Sequence, residues 1–581
     1  MNTMTTFQKP FEEKLYKLYM QAYDDTYDPV VRMCVTYRGK NGYHSKLSDC
    51  MVHDVRASFS YAYDLLIRDA PGDRQRAYDI LYRVIPLQDI NPNRDTYGIW
   101  SYFLEEDLEE MDKPDWNWAD FNGKELLRML LHCSDKITDD LKRRMEDCIL
   151  HACRAIIKRN VGPDYTNISI MGSYVTLVAG ELLNQPEIFA YGKERLRKLH
   201  QFNMSHGNFS EFNSPTYTFV ALFDLSDLIL EVKDPECVKM AQELCDLAWE
   251  TVAVHFHTTS GQLAGPHDRA YAFLLEDSHK LAIERALDYK IRLVDDYQAL
   301  LDKGIGSAYT HELHCPEKFI PYFTEKCDER IIDQTFAPGR MAYTYMNEHY
   351  TLGSLHQEIA WNQHRNILGY FGSVESPIAF NLKCLHDGWD YCSALMSTVQ
   401  EKGKVLTGIN FTTNQGDTHC NLDMVKDATI SAEDLRIRYL FGGDVSGLQV
   451  EQTGNHSFLI TDSRSSITLR VDFPYAVFND LPVSYEITRG PDMLGLDVVL
   501  YHGPRRDLNF GVMEKAAIAA VLEISNTDIA PLCPQVSEEN GYLIAKFNNM
   551  TVKVPTKPDT LASCKAAIQM FRGNTPYIPE F

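Results

Sequence analysis

Residues 457–473 read SFLITDSRSSITLRVDF, and this stretch decides the class of the second half of the chain. Apolar and polar side chains alternate in Ser457–Thr461 and again in Ser466–Phe473, with a short polar segment between the two runs. Alternation with a period of two is typical of a β-strand that buries one face. Two such runs joined by a polar turn predict neighbouring antiparallel strands.

The same pattern extends on both sides of this stretch, from residue 326 to the end of the chain. Further alternating runs are separated by Gly, Asn, Asp and Pro turns, and they are Lys404–Phe411, Leu435–Phe441, Ser484–Thr488, Leu494–Tyr501 and Glu539–Pro555. The segment Lys515–Ile524 fits either a helix or a buried strand. Short strands at this spacing predict an antiparallel β-sandwich over residues 326–581.

The first half of the chain has a different period. Apolar residues recur three and four positions apart, as on one face of an amphipathic helix, in residues 9–24, 50–68, 74–86, 120–133, 137–159, 167–185, 187–202, 216–232, 235–256 and 278–303. Proline and glycine separate these segments. Helices in series with short connections predict an (α/α) toroid of helical hairpins around a central cleft over residues 1–325. A helical repeat solenoid is disfavoured, because no fixed-period self-similarity is present.

The charge of the chain restricts its partners. Among 581 residues, 57 Lys+Arg stand against 81 Asp+Glu, for a formal net charge of −24. This field repels phosphate backbones and acidic membrane surfaces, so we expect neither a nucleic-acid nor a membrane partner. It also fails to attract a long polyanion, so an acidic substrate is expected to be a short oligosaccharide. Homo-oligomerisation stays open.

We expect a cytoplasmic protein that uses no metal and no organic cofactor. The N-terminal segment lacks an apolar core after a basic start, and no run approaches the length of a membrane span. The 14 cysteines are therefore interpreted as reduced thiols. Two groups of metal-binding residue types lack a recognised zinc spacing; they are His311, His314 and Cys315, and Asp417, His419 and Cys420.

An aromatic loop in the first half is a candidate sugar-binding surface. Three of the six tryptophans lie within nineteen residues. Aromatic faces pack on the C–H faces of sugar rings, while nearby amides bind hydroxyl groups. The candidate residues are Tyr97, Trp100, Trp116, Asn117 and Trp118, with Asn167 in the next such loop. Packing of these rings in a helix corner, and capping of a helix by Asn167, are equally simple interpretations.

The segment Asn208–Tyr217 gathers two asparagines, a glutamate and a tyrosine just before a predicted helix. A helix N-terminus offers unpaired N–H groups and a positive potential, and so can bind a carboxylate. Ser214 or Asn213 is also a plausible helix cap with Pro215 in the first turn. The cap does not explain Glu211 and Tyr217.

A second loop, Gly265–Tyr271, contains a histidine, a carboxylate, an arginine and a phenol within five residues. A histidine can remove a proton at neutral pH and a tyrosine can return one, so His267, Asp268, Arg269 and Tyr271 are candidate catalytic residues. An exposed Asp–Arg pair that only holds the loop is the alternative. Farther on, Trp361 lies in a polar stretch that fits either a cleft rim or an interdomain packing seam.

On these residues, the chain resembles the heparinase II/III-like and chondroitin AC/alginate lyase group of (α/α) toroid carbohydrate-active enzymes. The resemblance covers the architecture of nearly the whole chain, and locally it rests on Asn213–Tyr217, Gly265–Tyr271 and Tyr345–Arg365. It implies an exo-acting oligosaccharide lyase that cleaves a uronic-acid-containing glycan by β-elimination. Six-hairpin glycosidases share the helical ring, so the fold alone does not decide the chemistry.

The resemblance also implies roles for the candidate residues. Asn213, assisted by Arg269, would neutralise the substrate carboxylate, and His267 would remove the C5 proton. Tyr217 or Tyr271 would protonate the leaving oxygen, and the choice between them stays open. An inverting glycoside hydrolase, for example on glucuronides, would use Glu211 and Asp268 instead. A non-catalytic sugar-binding protein is the third interpretation.

Overall fold

A computed structural model of the chain describes residues 7–39, 44–303, 313–415 and 425–577. The α-helices within these ranges are α1 Pro10–Thr26, α2 Val55–Arg68, α3 Asp73–Val84, α4 Trp118–His132, α5 Asp139–Arg159, α6 Thr166–Leu182, α7 Pro186–His206, α8 Tyr217–Glu231, α9 Pro235–His255, α10 Asp277–Ala286, α11 Tyr297–Lys303, α12 Pro321–Thr324 and α13 Leu561–Ala567.

The strands are shorter and lie mostly in the second half. They are β1 Tyr27–Asp28, β2 Met33–Arg38, β3 Cys50–Asp54, β4 Phe256–His257, β5 Gln262–Leu263, β6 Arg330–Ala337, β7 Arg340–Met346, β8 Tyr350–Leu355, β9 Gln357–Ile359, β10 Ile367–Gly372, β11 Pro377–His386, β12 Trp389–Asp390, β13 Ala394–Glu401, β14 Lys404–Phe411, β15 Thr429–Gly443, β16 Leu448–Gln452, β17 Ser457–Asp462, β18 Ile467–Phe478, β19 Ser484–Gly490, β20 Met493–Asn509, β21 Ala516–Ser525, β22 Gln535–Glu539, β23 Tyr542–Phe547, β24 Met550–Pro555, β25 Gln569–Arg572 and β26 Thr575–Pro576.

The chain divides into two compact units. The helical unit comprises Met1–Ser205, Phe219–Ala248 and Asp277–Cys315. The sheet unit comprises His206–Thr218, Trp249–Glu276 and Pro316–Phe581. The fold class predicted from the sequence, helices first and an antiparallel β domain after them, is confirmed. Two segments of the first half of the chain, His206–Thr218 and Trp249–Glu276, belong to the sheet unit, and the domain boundary at residue 325 stays a prediction.

In the helical unit, α2 packs on α3 and α4, and α4 packs on α5 and α6. Local signals set the ends of these helices. The Thr138 hydroxyl accepts a hydrogen bond from Leu141 N at 3.3 Å at the start of α5, and Asn160 ends it in a left-handed conformation. The apolar faces of the helices meet in the core, which is why helix periodicity was visible in the sequence. The closure of these hairpins into a ring stays a prediction.

Two details of the helical unit differ from expectation. Residues 50–54, predicted as helix, form strand β3 in a three-stranded sheet with β1 and β2. Asp54 then caps α2 by accepting from Ala57 N at 2.8 Å, so the helix begins only after it. The predicted helix 278–303 is two helices, because Asp288 and Tyr289 adopt left-handed backbone angles that end the first one.

The sheet unit contains two large antiparallel sheets that share one hydrophobic core. The first has strand order β19-β20-β15-β11-β10-β8-β7-β6, with β12 beside β11, and the second has order β16-β17-β18-β21-β14-β13-β9. Apolar residues from both sheets, such as Phe380 and Phe411, belong to the same buried cluster. This is the packing of a β-sandwich.

A third sheet, of order β22-β23-β24-β25-β26, covers the second sheet on its other face. Strand β21 therefore has apolar neighbours on both faces: Ile518 points to the first core, and Val521 to the second. The segment that fitted a helix or a buried strand is this doubly buried strand. Among the described helices, none is long and apolar enough to cross a membrane.

Candidate active site

The N-terminus of α8 fixes the first loop of the site. Ser214 is the helix cap, because its hydroxyl oxygen accepts a hydrogen bond from Tyr217 N at 2.8 Å. The same hydroxyl donates to the Arg269 carbonyl at 2.7 Å, which ties the cap to the second loop. The capping interpretation of Ser214 is confirmed. The cap also sets the direction in which the Tyr217 side chain leaves the helix.

Asn213 is buried beneath this cap and has a left-handed backbone with φ of 47°. Its Nδ2 donates to the carbonyls of Ala264 at 2.6 Å and Pro266 at 3.1 Å. Both amide hydrogens are therefore engaged in holding the second loop. This contradicts the predicted role of Asn213 in binding a substrate carboxylate, since that role needs the same donors.

The loop Gly265–Tyr271 is anchored on strands of the first sheet. Thr344 donates its hydroxyl to the Gly265 carbonyl at 2.8 Å. Gly265 and Gly353 are in close contact, because a Cβ added at Gly353 would lie 1.8 Å from the Gly265 oxygen. The loop also pairs with the segment after β9, through Arg365 N to His267 O at 2.9 Å and Ala270 N to Gln363 O at 2.7 Å. These contacts put His267 and Asp268 on the inner side of the loop.

His267 has only 1% of its surface exposed. Burial, followed by the nearby charge of Arg365, lowers the pKa of its imidazole to about 3, so the ring is neutral at physiological pH. The His267 Nε2 atom lies 3.5 Å from the Tyr370 hydroxyl inside the protein. A base must touch the proton that it removes, so this placement contradicts the predicted role of His267.

Asp268 lies in a buried ion cluster. The two nitrogens of Arg340 bond it at 2.8 and 3.2 Å, and His364 Nε2 lies 2.8 Å from one carboxylate oxygen. Arg340 also bonds Glu358 at 2.6 Å. Burial alone would raise the pKa of Asp268, but Arg340 and His364 outweigh it and hold the pKa well below its usual range. Asp268 is thus a permanent anion that fixes the loop to Arg340 and His364.

Arg269, the next residue, points outward and is held by three side chains. It donates to Gln363 Oε1 at 3.1 Å, to Glu211 Oε1 at 2.5 Å and to the Tyr217 hydroxyl at 3.1 Å. Its guanidinium also lies over the Tyr217 ring, 4.3 Å from the ring centre. Glu211 is buried and Arg269 is partly exposed. Glu211 therefore orients a cation whose charge reaches the surface of the site.

Tyr217 and Tyr271 form a pair of phenols at this surface. Their hydroxyl oxygens lie 2.7 Å apart, and 51% of the Tyr271 surface is exposed. Burial raises the pKa of Tyr217 far above its ordinary value of 10.0, although Arg269 opposes that rise. Tyr217 thus keeps its proton at neutral and mildly alkaline pH, beside a second phenol that solvent reaches.

Trp361 lies in the same unit as these residues and is partly exposed. Its ring meets the ring of His364 edge to face, with centroids 5.2 Å apart. His364 in turn bonds Asp268. The stretch around Trp361 is therefore one of the segments that hold the candidate site in place. A role for the Trp361 face in binding sugar stays a prediction.

The aromatic loop of the helical unit is only partly accessible. Trp100 has 0% of its surface exposed, and its Nε1 donates to the Val84 carbonyl at 3.2 Å. Tyr97 is buried with its hydroxyl 2.7 Å from His151 Nδ1. The predicted sugar-binding role of both rings is contradicted, because both side chains are buried and cannot pack on a sugar.

The other members of that group have different surroundings. Trp116 is partly exposed and donates to the Asp95 carbonyl at 3.0 Å, while Asn117 donates to the Tyr165 hydroxyl at 3.3 Å. Trp118 packs against Tyr102 at 4.6 Å and lines a cavity of about 640 Å³. Asn167 is buried in the first turn of α6. Their predicted roles in substrate binding stay predictions.

Sequence reasoning missed three residues that hold the side chains of the second loop: Gln363, His364 and Arg340. Gln363 and His364 stand in the polar stretch around Trp361 that was noted in the sequence. Nothing in that stretch indicates that these two residues contact Arg269 and Asp268. Arg340 occupies the first position of strand β7 and gave no signal. In the described ranges, no group of His, Cys, Asp and Glu is arranged to hold a metal ion. His311, Asp417, His419 and Cys420 lie outside the described residues.

Comparisons with known proteins give distant similarities. A family model described as a domain of unknown function (DUF8769) matches residues 13–286. No curated protein matches the chain. The chain is similar to a crystal structure of heparinase III, at 10% identity and a TM-score of 0.42 over 87% of this chain and 82% of that chain.

Two other solved structures are also similar to the chain at low identity. One is a chondroitin AC lyase variant of Streptomyces coelicolor, at 10% identity and a TM-score of 0.42 over 94% of this chain and 85% of that chain. The other is a heparan sulfate lyase variant from Pedobacter heparinus, at 8% identity and a TM-score of 0.32 over 86% and 82%. These are proteins of the kind that the sequence was found to resemble.

Proposed function

We propose that the chain is a carbohydrate-active enzyme, an exo-acting lyase that cleaves a uronic-acid-containing oligosaccharide by β-elimination. One observation carries the proposal: the Tyr217 and Tyr271 phenols lie 2.7 Å apart, with the Arg269 guanidinium 3.1 Å from the Tyr217 oxygen. Elimination needs a group that takes a proton, a group that gives one and a cation for the developing charge. These three side chains supply all of them at one surface.

Arg269 is the group that meets the substrate carboxylate. Its guanidinium is fixed by Glu211 and Gln363, so its charge needs no reorganisation when a substrate binds. A cation beside the carboxylate makes the C5 proton more acidic and stabilises the enolate-like charge that forms when this proton leaves. Arg269 thus takes over the role predicted for Asn213.

The two phenols move the protons. Tyr271, once ionised, takes the proton from C5; the C4–O4 bond breaks and a C4=C5 double bond forms. Tyr217, which keeps its proton because burial raises its pKa, gives that proton to the leaving oxygen. A proton then passes from Tyr271 to Tyr217 across their 2.7 Å hydrogen bond and restores the starting state.

The hydrolase alternative has less support. An inverting hydrolase needs one carboxyl group that gives a proton and a second that activates water. Arg340 and His364 hold the pKa of Asp268 well below its usual range, so it has no proton to give. Glu211 is buried and paired with Arg269. The two carboxylates therefore act in our proposal as structural partners of arginines.

The proposed substrate is a short oligosaccharide trimmed from one end, in the cytoplasm. The net charge of −24 supports this choice, because such a field repels a long polyanion but is overcome locally by Arg269. A reducing compartment is supported by the cysteines of the described ranges, which form no disulfide bond with one another and are mostly buried.

The test incubates the protein with uronate-containing oligosaccharides and follows the ultraviolet absorbance of unsaturated uronate together with new reducing ends. We expect both signals to rise, and both to fall by at least about 100-fold in Tyr217→Phe and in Tyr271→Phe. Tyr542→Phe, a partly exposed phenol of the third sheet, is the matched control and should keep full activity.

Other outcomes would reject the proposal. Reducing ends without absorbance, abolished by Glu211→Gln or Asp268→Asn, would identify a hydrolase. Binding of oligosaccharide with neither signal would identify a sugar-binding protein. The pH profile adds a check: activity should show no descending limb below pH 10 from the proton donor, since burial raises the pKa of Tyr217 and keeps it protonated there.

A further inference from the structure

Two cations that the proposed chemistry does not use lie beside one aromatic ring of the sheet unit. Phe273 packs with Leu368 on the face of the first sheet that is turned away from the sandwich core. The Arg365 guanidinium lies 4.8 Å from the centre of the Phe273 ring, and the Lys383 Nζ atom lies 5.3 Å from it. The two positive charges are therefore close to each other.

The register of the first sheet explains why these cations meet. Strand β11 runs antiparallel to β10, with Asn381 opposite Leu368. Continued by two residues, the same register places Lys383 opposite the residue that follows Arg365. Arg365 stands just before β10, and its backbone N–H is bound to the second loop of the candidate site. Both side chains are thus positioned by strands and not by a surface loop alone.

Arg365 is a buried cation with an unused donor. Only 2% of its surface is exposed. Its Nη1 atom donates to the carbonyl oxygens of Asn362 at 2.6 Å and His364 at 3.1 Å. Its Nε atom is buried and has no hydrogen-bond partner among the described residues, and none of their carboxylates forms an ion pair with Arg365. A charge withdrawn from water at this depth is costly unless a countercharge reaches it.

A single carboxylate, that of Asp390, acts on both cations. Its oxygens lie 2.9 and 3.0 Å from the Lys383 Nζ atom, and its charge also reaches Arg365. Arg438, opposite Lys383 on β15, is bonded to Asp497 at 2.6 Å and so has its own countercharge. Burial, and for Lys383 also the charge of Arg365, lowers the pKa of both cations although Asp390 opposes this. Two positive charges against one negative charge leave a surplus of one.

We infer that Arg365 and Lys383 bind a single-atom anion, chloride under ordinary conditions, which accepts a hydrogen bond from the Arg365 Nε–H group. One negative charge balances the surplus, whereas sulfate would leave a surplus of the opposite sign. The deep burial of Arg365 favours a small ion over a carboxylate, because the ion must reach Nε. The inference goes beyond the proposed lyase and does not depend on it, since it uses neither Arg269 nor the two phenols.

Bromide can locate the ion directly, because it has the charge of chloride and scatters X-rays anomalously. Crystals of the full chain are transferred from chloride to bromide at the same ionic strength. We expect an anomalous peak within hydrogen-bond distance of the Arg365 Nε atom, on the side of Lys383. Absence of a peak there, or an oxygen of water at that place in both salts, would overturn the inference.

Urea unfolding tests binding in solution. An anion that binds only the folded protein raises the ratio of folded to unfolded chain as its concentration rises. Between about 10 and about 500 mM chloride, with gluconate keeping the ionic strength constant, we expect that ratio to rise about fivefold or more. Arg365→Met should lose this rise. Arg330→Met is the matched control and should keep it. Arg330 also lies over a ring, 4.9 Å from the centre of Tyr322, and donates to a carbonyl, but the described structure leaves it no buried nitrogen without a partner.

A second variant keeps the test decisive if Arg365→Met fails to fold. Asp390→Asn removes the carboxylate beside Lys383 and raises the surplus charge to two, so chloride should bind more tightly. The rise should then reach half its extent at a chloride concentration at least about threefold lower. A flat response in the unchanged protein, a full response in Arg365→Met or a weaker one in Asp390→Asn would overturn the inference. An equal response to acetate would assign the site to a carboxylate instead.

Discussion

Arg269 in the sheet unit and Arg56 in the helical unit are both cations that lie over an aromatic ring, and they are held by different means. Arg269 donates to Glu211, Gln363 and Tyr217. Arg56 lies on the Phe121 ring. Hydrogen bonds fix the direction and distance of a cation, whereas a ring face fixes only its plane. The first arrangement suits a transition state with one geometry, whereas the second fixes the guanidinium less closely.

The largest effect is expected from removing the carboxylate of the buried ion cluster that Asp268 forms with Arg340 and His364. Asp268→Ala leaves Arg340 and His364 without their shared carboxylate, and should lower the free energy of unfolding by about 3–5 kcal/mol. Urea unfolding followed by circular dichroism measures this. Glu329→Ala, which removes an exposed ion pair with Lys402 in the same unit, should have a much smaller effect. Equal losses of unfolding free energy in the two variants would show that the Asp268 cluster contributes no more than an exposed ion pair.

The next effect is a dependence of stability on pH. His267 is neutral in the folded protein, where its pKa is about 3, while its ordinary value is 6.5. Between these values the unfolded state binds a proton that the folded state does not, so stability falls as the pH drops below 6.5. At pH 5 the loss from this residue is about 2 kcal/mol relative to pH 8.

His267→Gln should remove that part of the slope, measured as the urea midpoint at several pH values. His349→Gln, at an exposed position of the same unit, should leave the slope as it is in the unchanged protein. A slope that survives in His267→Gln would mean that the imidazole is not buried in solution.

A smaller effect sharpens the comparison at Arg269 itself. Gln363→Ala removes the acceptor of the Arg269 Nε–H, and should reduce kcat/KM for a uronate oligosaccharide by about tenfold while the fold is retained. Gln363→Glu keeps an acceptor at the same place and should recover most of the activity. Gln535→Ala, at an exposed position of the third sheet, is the control. If Gln363→Glu were as inactive as Gln363→Ala, a positioning role would be excluded.

The smallest effect is expected at the ring that holds Arg56. Phe121→Leu keeps an apolar side chain but removes the ring face, and should lower the free energy of unfolding by about 0.5–1 kcal/mol, measured by urea unfolding. Arg56→Met, which removes the cation and keeps the ring, should have a similar effect, because it breaks the same contact. No loss in either variant would mean that the ring does not hold Arg56 in solution.

The sheet unit shows what the sequence could predict. Strand β17 is Ser457–Asp462, one residue longer than the predicted run Ser457–Thr461, because its side chains alternate between buried and partly exposed and leave only one face to bury. Strand β21 was left open between helix and strand, since a segment buried on both faces loses its alternation. The break between α10 and α11 was missed because it depends on left-handed angles at Asp288 and Tyr289, residues that do not require them.

The candidate site could be predicted as a set of loops, but not residue by residue. The density of reactive side chains in Gly265–Tyr271 marked the loop correctly as a feature of interest. It could not tell that Arg269 and Tyr271 point outward while His267 and Asp268 point inward, because loops lack the periodicity that separates faces. Nor could it pair Asp268 with Arg340, since that ion pair joins residues far apart in the chain.

The doubly buried strand β21 has a consequence for how the protein is made. In the described part of the chain, the cluster around its outer face, with Ala517, Ala519 and Val521, draws most of its residues from strands that begin at Gln535. During synthesis that apolar face stays bare until almost the whole chain has emerged, and a bare sheet face invites aggregation. The sheet unit also includes His206–Thr218 and Trp249–Glu276, so the loops bearing Tyr217 and Arg269 belong to the unit whose last strands emerge at the end of synthesis. A chain shortened after Ser525 should therefore be both aggregation-prone and inactive.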